Sequence, residues 1–194
     1  MQSNVRQKLI LLLAVLFLAQ RPAVAVVEVL TPLADFIEAA DEIVVVKVRE
    51  LDAARPSAIF AVADDLKGQS EFRRLAVNLK GRKADQTEQL LARLADDLPL
   101  VLFITHLKDR ELVYGYTAGT WFQIIGHHDG KQTRWGFTDL EIYLPRTFNG
   151  STDELRATLA AAMAGTKKPP PANPQLKPGI GPALEKSARA GALR

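Results

Sequence analysis

The stretch TWFQIIGHHDGKQTRWGF, residues 120–137, is typical of a β-hairpin. Aromatic and β-branched residues are frequent on both sides of Asp129-Gly130, a pair favoured at the centre of two-residue hairpin turns. With these two residues at the centre of the turn, Ile124 lies opposite Trp135 on the neighbouring strand. The sequence therefore predicts a hairpin and, from the position of its turn, the register of its two strands.

Alternation along the strands divides this hairpin into two faces. One face is apolar and forms a predicted core wall of Phe122, Ile124, Trp135 and Phe137. The other face is mostly polar and carries Trp121, Gln123, Ile125, His127, Gln132, Arg134 and Gly136. A tryptophan among amide, guanidinium and imidazole groups suits a sugar ring, a peptide or a partner's loop. The candidate binding residues are therefore Trp121, Gln123, His127 and Arg134, unless the segment FNGSTDEL (148–155) covers Trp121.

Five further stretches have the composition of short strands, and each is bounded by turn-like groups. They are EIVVVKVREL (42–51), SAIFAVADDL (57–66), FRRLAVNL (72–79), PLVLFITHL (99–107) and ELVYGYT (111–117). With the two strands of the hairpin, they make seven strands in the chain.

Three amphipathic helices are predicted from apolar residues spaced three and four apart. They are TPLADFIEAAD (31–41), ADQTEQLLARLADD (84–97) and STDELRATLAAAMAG (151–165). Two of them begin with a capping-box pattern, Asp85 with Glu88 and Ser151 with Glu154.

The order of these elements predicts the fold class. Most links between strands are too short for a helical crossover, so the strands are expected to pair antiparallel. Only the link after Leu79 is long enough to hold a helix. Three strands, a helix and further strands is the order of an OB-type barrel. We expect a mainly β protein with peripheral α-helices, built as a curled antiparallel sheet or a small OB-like barrel.

Part of the chain resembles bacterial exported domains related to the netrin-like module, which is a barrel of the OB type. The resemblance covers residues 34–107 and rests on ADEIVVVKVRELDA (40–53), on AIFAVADDLKGQ (58–69) with its L-K-G, and on LAVNL (75–79) and LPLVLFIT (98–105). Animal members of that group inhibit metalloproteinases through an N-terminal cysteine, and this chain has no cysteine. The resemblance therefore implies a fold and does not imply inhibition.

The N-terminus has the three parts of a secretory signal peptide. Arg6 and Lys8 precede an apolar run from residue 9 to 19, and small residues follow at Ala23 and Ala25. A helix over the apolar run is shorter than the roughly 30 Å hydrocarbon core of a bilayer. Residues 1–25 are therefore expected to be cleaved, which leaves no stable membrane anchor. The protein is expected to be exported, either to the periplasm or to the extracellular space.

Charge argues against nucleic acid as a partner. The whole chain has 25 basic and 22 acidic residues, and three of the basic ones, Arg6, Lys8 and Arg21, lie in the predicted leader. The remainder has 22 of each sign, whereas nucleic-acid binding needs a strong positive field. A protein or glycan partner in the cell envelope is the expectation that remains.

The C-terminal part is predicted to be a disordered, proline-rich tail. GTKKPPPANPQLKPGIGP (165–182) contains six prolines and no aromatic residue, a composition that favours an extended chain and cannot build a core. The predicted organisation is a signal peptide at 1–25, one OB-like domain at 26–164 and a tail at 165–194.

No catalytic residue, metal ligand or cofactor is predicted. The absence of cysteine excludes a thiol nucleophile and a covalently attached c-type haem. His127, His128 and Asp129 alternate along a strand and so do not converge on one ion. His106 has no evident partner in the linear sequence. The function expected is an exported, noncatalytic binding or interaction module; the alternative is an exported hydrolase, metal-dependent or not, whose site is hidden in the linear sequence.

Overall fold

The computed structural model describes residues 30–130 and 132–184. The leader predicted at residues 1–25, Lys131 in the hairpin turn and residues 185–194 of the predicted tail lie outside the described part. No helix in this part of the chain has the length and apolar character needed to cross a membrane.

Seven strands form a closed barrel in the order β1–β2–β3–β7–β6–β5–β4. Every predicted strand is present, and the bounds are β1 Glu42–Asp52, β2 Ser57–Lys67, β3 Arg74–Asn78, β4 Pro99–His106, β5 Arg110–Thr117, β6 Thr120–Asp129 and β7 Gln132–Leu140. The protein is mainly β, with its helices at the periphery, as the sequence predicted.

The barrel is closed by two long-range strand pairs. β1 pairs with β4 antiparallel, and β3 pairs with β7 in parallel through Val77 with Trp135 and Asn78 with Gly136. The remaining neighbours are antiparallel meanders, β1–β2–β3 and β4–β5–β6–β7. A helix lies between the two meanders, as in an OB-type barrel, and this barrel has seven strands in place of five.

The hairpin of β6 and β7 forms, but its turn lies one residue later than predicted. Asp129 pairs with Gln132, so Gly130 begins the loop, with the positive φ of +59° that such turns require. Each residue of the outer half of the hairpin consequently meets a partner two positions away from the predicted one. A shift of two keeps every side chain on its predicted face, whereas a shift of one would have reversed them.

The barrel interior is filled by alternate residues of all seven strands. The buried set in these strands comprises Val44, Val46, Val48, Ala58, Phe60, Leu75, Val77, Leu100, Leu102, Ile104, Val113, Phe122, Ile124, Phe137 and Leu140. Burying one side chain of this size stabilises the fold by about 1.5–3 kcal/mol. This interior cluster is the main source of stability.

Three helices surround the barrel: α1 Leu33–Ala39, α2 Ala84–Leu91 and α3 Thr152–Met163. At α3 the predicted capping box forms, because Ser151 Oγ accepts from the Glu154 amide at 3.1 Å and the Glu154 carboxylate accepts from the Ser151 amide at 2.7 Å. The capping box predicted at Asp85 is wrong. α2 begins after Lys83, and Asp85 stands inside the first turn, with no side-chain cap among the described residues.

Two of the helices cover the outside of the barrel. Leu33 of α1 and Leu155 and Leu159 of α3 pack on outward-facing residues of four strands, namely Ile43, Val101, Phe103, Tyr116 and Trp121. β4 is therefore buried on both faces, which explains its continuous apolar run.

The L-K-G sequence has a structural role at the end of α1. Lys67 Nζ donates to the carbonyl oxygens of Ile37 at 2.8 Å and Glu38 at 3.3 Å, and also to that of Ala40. A cation at the C-terminus of a helix satisfies the last carbonyl groups. Gly68 has a φ of +69°, and a Cβ there would lie 2.9 Å from a backbone oxygen of Asp41. These residues hold α1 against the start of β1.

The proline-rich segment has neither helix nor strand between residues 165 and 184, as its composition predicted. It nevertheless lies on the body, so packing continues beyond the predicted boundary at residue 164. Ile180 packs against the interior cluster. Backbone groups of the segment bind the body at five further places: Asn173 N to Arg146 O, Arg146 Nε to Leu176 O, Gly179 N to Ile142 O, Arg93 Nε to Gly181 O and Leu184 N to Ala92 O.

Candidate functional site at the open mouth of the barrel

Trp121, the centre of the predicted binding face, is fully buried. Its exposed fraction is 0%, and its ring centroid lies 4.8 Å from that of Tyr116, 5.4 Å from that of Phe36 and 5.6 Å from that of Phe103. Its indole N–H donates to the Phe148 carbonyl oxygen at 2.8 Å. The prediction of an exposed aromatic platform is wrong, because α1 and the chain that enters α3 cover this face.

The other three predicted residues share that outer face but do not assemble a site. Gln123 is partly buried, and its amide contacts the hydroxyls of Tyr114 at 3.3 Å and Thr138 at 2.8 Å. His127 and Arg134 are exposed and face each other across β6 and β7. Arg134 also forms an ion pair with the Asp129 carboxylate at 2.7 Å. Exposed pairs of this kind contribute about 0–1 kcal/mol.

A different set of polar residues meets at the mouth of the barrel that lies opposite α2. In five strands, the row of interior-facing residues ends there in a polar side chain. The residues are Glu42 of β1, His106 of β4, Glu111 of β5, His128 of β6 and Thr133 of β7. With Glu71, Phe72, Ile104 and Trp135, they line a cleft of about 290 Å³. We call this the mouth cleft.

His106 lies between two carboxylates in the mouth cleft. Its Nδ1 is 2.5 Å from Glu111 Oε2, and its Nε2 is 3.2 Å from Glu42 Oε1. Its backbone N–H donates to Asp41 Oδ2 at 2.7 Å, which fixes the residue at the end of β4. Burial lowers the pKa of His106, but the hydrogen bonds and charges of Glu111 and Glu42 outweigh it and raise the pKa above the usual range. The cluster favours the imidazolium form, in which both ring nitrogens donate.

Glu111 also contacts the second histidine of the cleft. Its Oε1 lies 3.2 Å from His128 Nε2, and His128 Nδ1 lies 3.1 Å from Thr133 Oγ1. The first contact is at ion-pair distance, and a His128 ring that carries its hydrogen on Nε2 can accept at Nδ1 from the Thr133 hydroxyl. A hydroxyl, an imidazole and a carboxylate are thus connected in series.

Glu42 is the deepest carboxylate of the cleft. Its exposed fraction is 6%, and its Oε2 has no hydrogen-bond partner in the described part of the chain. Burial raises the pKa of Glu42, and the hydrogen bond from His106 only partly offsets this effect. A buried acceptor without a partner costs about 1–3 kcal/mol, so this oxygen favours any donor that enters the cleft.

Trp135 and Phe72 form the apolar wall. Their ring centroids are 5.8 Å apart with an edge-to-face tilt of 63°. The indole lies over Gly126 of β6, where a Cβ would be 2.8 Å from the ring. The position of Trp135 therefore requires a glycine on the neighbouring strand.

A larger depression lies elsewhere, beside the β1–β2 turn, and measures about 800 Å³. Its carboxylates already have partners: Asp52 accepts from Arg55 Nε at 2.9 Å, and Glu50 lies 3.4 Å from Arg74. Being open and internally paired, it is a weaker candidate than the mouth cleft.

The mouth cleft is not evident in the linear sequence because its polar interior-facing residues come from five strands. One signal was present: Glu42 and His106 are in phase with the interior-facing residues Val44 and Ile104, where apolar side chains are the rule. The short link between β4 and β5 also makes Glu111 the cross-strand partner of His106. His106 therefore has a carboxylate nearby, contrary to the prediction.

The described residues include no group of three or more histidine, aspartate or glutamate side chains arranged to hold a metal ion. Comparison with known proteins gives no match to a protein family, to a curated protein or to a solved structure.

Proposed function

We propose that this protein is an exported, noncatalytic binding module and that the mouth cleft is its ligand site. The observation that carries the proposal is the buried Oε2 of Glu42, an acceptor without a partner among the described residues, in a side chain that lines the mouth cleft. Interior positions of a small barrel are normally apolar, and the five adjacent polar residues are not members of the interior cluster. Mouths of β-barrels are frequent sites of ligand binding.

Export is supported by the N-terminal sequence, with its basic start, apolar run and Ala23-Val24-Ala25. The resemblance of residues 34–107 to exported netrin-like domains points in the same direction. N-terminal sequencing of the protein from the envelope or medium is expected to begin at Val26. Recovery of Met1 from the membrane fraction would contradict export.

Affinity capture tests the binding function and its location together. The purified protein and the variant Glu111→Gln are each immobilised and used to capture proteins and glycans from an extract of the native cell envelope. Glu88→Gln is the matched control, because Glu88 is exposed on α2, at the other end of the barrel. Partners retained by wild type and control but lost with Glu111→Gln support the proposal. Equal retention by all three proteins would exclude the mouth cleft as the site.

The series Thr133–His128–Glu111 favours a hydrolase as the second candidate. A hydroxyl that donates to an imidazole oriented by a carboxylate has the order of an acyl-transfer triad. In this reading Thr133 would be the nucleophile and His128 the base.

A covalent probe separates the two candidates. A fluorophosphonate is incubated with wild type and with Thr133→Val, which keeps the shape of the side chain and removes the hydroxyl. Mass spectrometry that finds a stoichiometric adduct on Thr133, absent from the variant, would establish the hydrolase. An unmodified protein under conditions that label a serine hydrolase favours the binding module.

A further inference from the structure

We infer that the mouth cleft binds a primary alkylammonium group, of the kind carried by a lysine side chain. This inference rests on the proposed binding function and specifies the chemistry of its ligand. It is drawn from four features of the cleft: its charge, the free oxygen of Glu42, its aromatic wall and its size.

The first feature is the sign of the charge. Three carboxylates line the cleft, Glu42, Glu71 and Glu111, and no lysine or arginine is present among the described residues that line it. The two histidines add at most two positive charges, and His128 already lies within ion-pair distance of Glu111. A cleft with apolar walls concentrates such a field and attracts a cation.

The second feature decides between an ammonium and a guanidinium group. Glu42 Oε1 is engaged by His106 at 3.2 Å, so Oε2 alone is available. A guanidinium group binds best when both oxygens of one carboxylate accept, whereas an ammonium group is a compact donor that needs only one. One free, buried oxygen therefore fits the ammonium group. Glu71, which is exposed at the rim of the cleft, can accept a hydrogen bond from a second of the three N–H groups of the ammonium.

The third and fourth features concern the rest of the ligand. Trp135 and Phe72 provide an aromatic wall along which an alkyl chain can lie, and an indole face also attracts a cation within about 6 Å. A volume of about 290 Å³ is just below the range for ligand pockets, roughly 300–1,000 Å³. The cleft thus has room for one side chain and not for a large ligand.

The direct test is titration of the purified protein, followed by the two indole N–H signals in NMR spectra. The probes are the blocked amides of lysine, arginine and norleucine, and N-acetylglucosamine as a neutral sugar. Trp135 lines the cleft and Trp121 does not, so the lysine amide is expected to shift the Trp135 signal alone. Norleucine has the same alkyl chain without the charge and is expected to bind at least tenfold more weakly.

Variants locate the interaction. Glu42→Gln is expected to weaken binding of the lysine amide at least tenfold, and the control Glu88→Gln is expected to bind as wild type does. Because Glu42 is buried and its substitution could disturb folding, Glu71→Gln at the exposed rim provides an independent test. It is expected to weaken binding about threefold with no change in melting temperature.

Two sources of the group are distinguished by separate probes. A lysine-containing peptide presents the ammonium group on an extended chain, and vesicles of phosphatidylethanolamine present it on a lipid headgroup. Binding of either, with loss in Glu42→Gln, supports the inference and identifies the source.

Each contrary outcome has one meaning. Equal binding of norleucine, tighter binding of arginine or binding of N-acetylglucosamine instead of lysine would overturn the ammonium inference while the mouth cleft remained a binding site. If no probe shifts the Trp135 signal, the ammonium inference is overturned and the proposed binding function still stands. If partner capture is also insensitive to Glu111→Gln, the proposed function fails as well.

Discussion

The indole nitrogen of Trp121 donates a hydrogen bond of 2.8 Å to the carbonyl oxygen of Phe148. Trp121 lies on the outer face of β6, and Phe148 lies in the segment that leads into α3. The bond satisfies the one polar atom of a side chain that is otherwise surrounded by aromatic rings. It ties the outer helical layer to the barrel and gives Trp121 a structural role.

The two tryptophans are therefore expected to differ in their contribution to stability. Trp121→Ala is expected to lower the free energy of unfolding by about 3–5 kcal/mol, because it leaves a large cavity and an unpaired carbonyl group. Trp135→Ala is expected to cost less, since Trp135 is only partly buried. Urea unfolding measures both values.

Acrylamide quenching checks the same contrast without unfolding the protein. In the single-tryptophan variants Trp121→Phe and Trp135→Phe, the fluorescence of Trp135 is expected to be quenched more strongly than that of Trp121. Equal quenching would mean that the outer layer does not cover Trp121.

Helix capping provides a matched pair of substitutions. Ser151→Ala is expected to lower the free energy of unfolding by about 1 kcal/mol, because it removes one half of the capping box at α3. Asp85→Ala, at the position where the predicted box does not form, is expected to cost only a few tenths of a kcal/mol through the helix dipole. Equal losses in denaturant unfolding would show that α2 is capped by Asp85 after all.

The proline-rich segment is expected to contribute to stability. Deletion of residues 166–194 removes Ile180 from the interior cluster together with its neighbouring hydrogen bonds, and is expected to lower the melting temperature by about 4 °C or more. Deletion of residues 185–194 alone retains all of these contacts and is the control. Equal melting temperatures for the long deletion and the full chain would show that the segment adds nothing.

The mouth cleft is expected to make stability depend on pH. The folded state raises the pKa of His106, so its contribution is fully present below the unfolded value of 6.5 and is lost as pH rises through the folded value. The raised pKa of Glu42 acts in the same direction, from 4.5 upward. The destabilisation caused by His106→Gln is therefore expected to be larger near pH 5.5 than near pH 8.5, as measured by thermal unfolding.

The control for this pH effect is His127→Gln, on the outer face of the hairpin and away from the cleft. An equal pH dependence of the two variants would exclude the His106 cluster as its cause.

A glycine pair tests the wall of the cleft. Gly126→Ala places a methyl group 2.8 Å from the Trp135 ring and is expected to cost about 1–3 kcal/mol and to displace the indole. Gly136→Ala meets no atom within 4 Å and is the control. The lysine amide is expected to bind Gly136→Ala normally and Gly126→Ala more weakly. Unchanged binding to both would show that Trp135 is not part of the ligand site.

The strands could be predicted because their signals are local. Alternation and turn residues located all seven strands, and a two-residue shift in the hairpin left its faces correct. Which faces are covered depends on α1 and α3, which are remote from the hairpin in sequence. Trp121 was therefore assigned to the correct face, although that face proved to be buried.

The residues of the mouth cleft come together only in the closed barrel, so the cleft could not be recognised from the sequence. Glu42 and His106 are 64 positions apart, and nothing in either local sequence shows that their strands are neighbours. Alternation along each strand indicates that Glu42 and His106 face the interior. Whether the two residues meet there depends on the order of the strands around the barrel.

The parallel pair that joins β3 to β7 has a mechanical consequence. It consists of Val77 with Trp135 and Asn78 with Gly136, whereas the antiparallel neighbours pair over at least five positions each. This short strand pair, which we call the seam, holds the two meanders together on that side. The barrel is therefore expected to open locally there first. Because Trp135 belongs both to the seam and to the cleft wall, each opening would also move one side of the cleft. The shape of the cleft would then depend on how often the few backbone hydrogen bonds of this pair open.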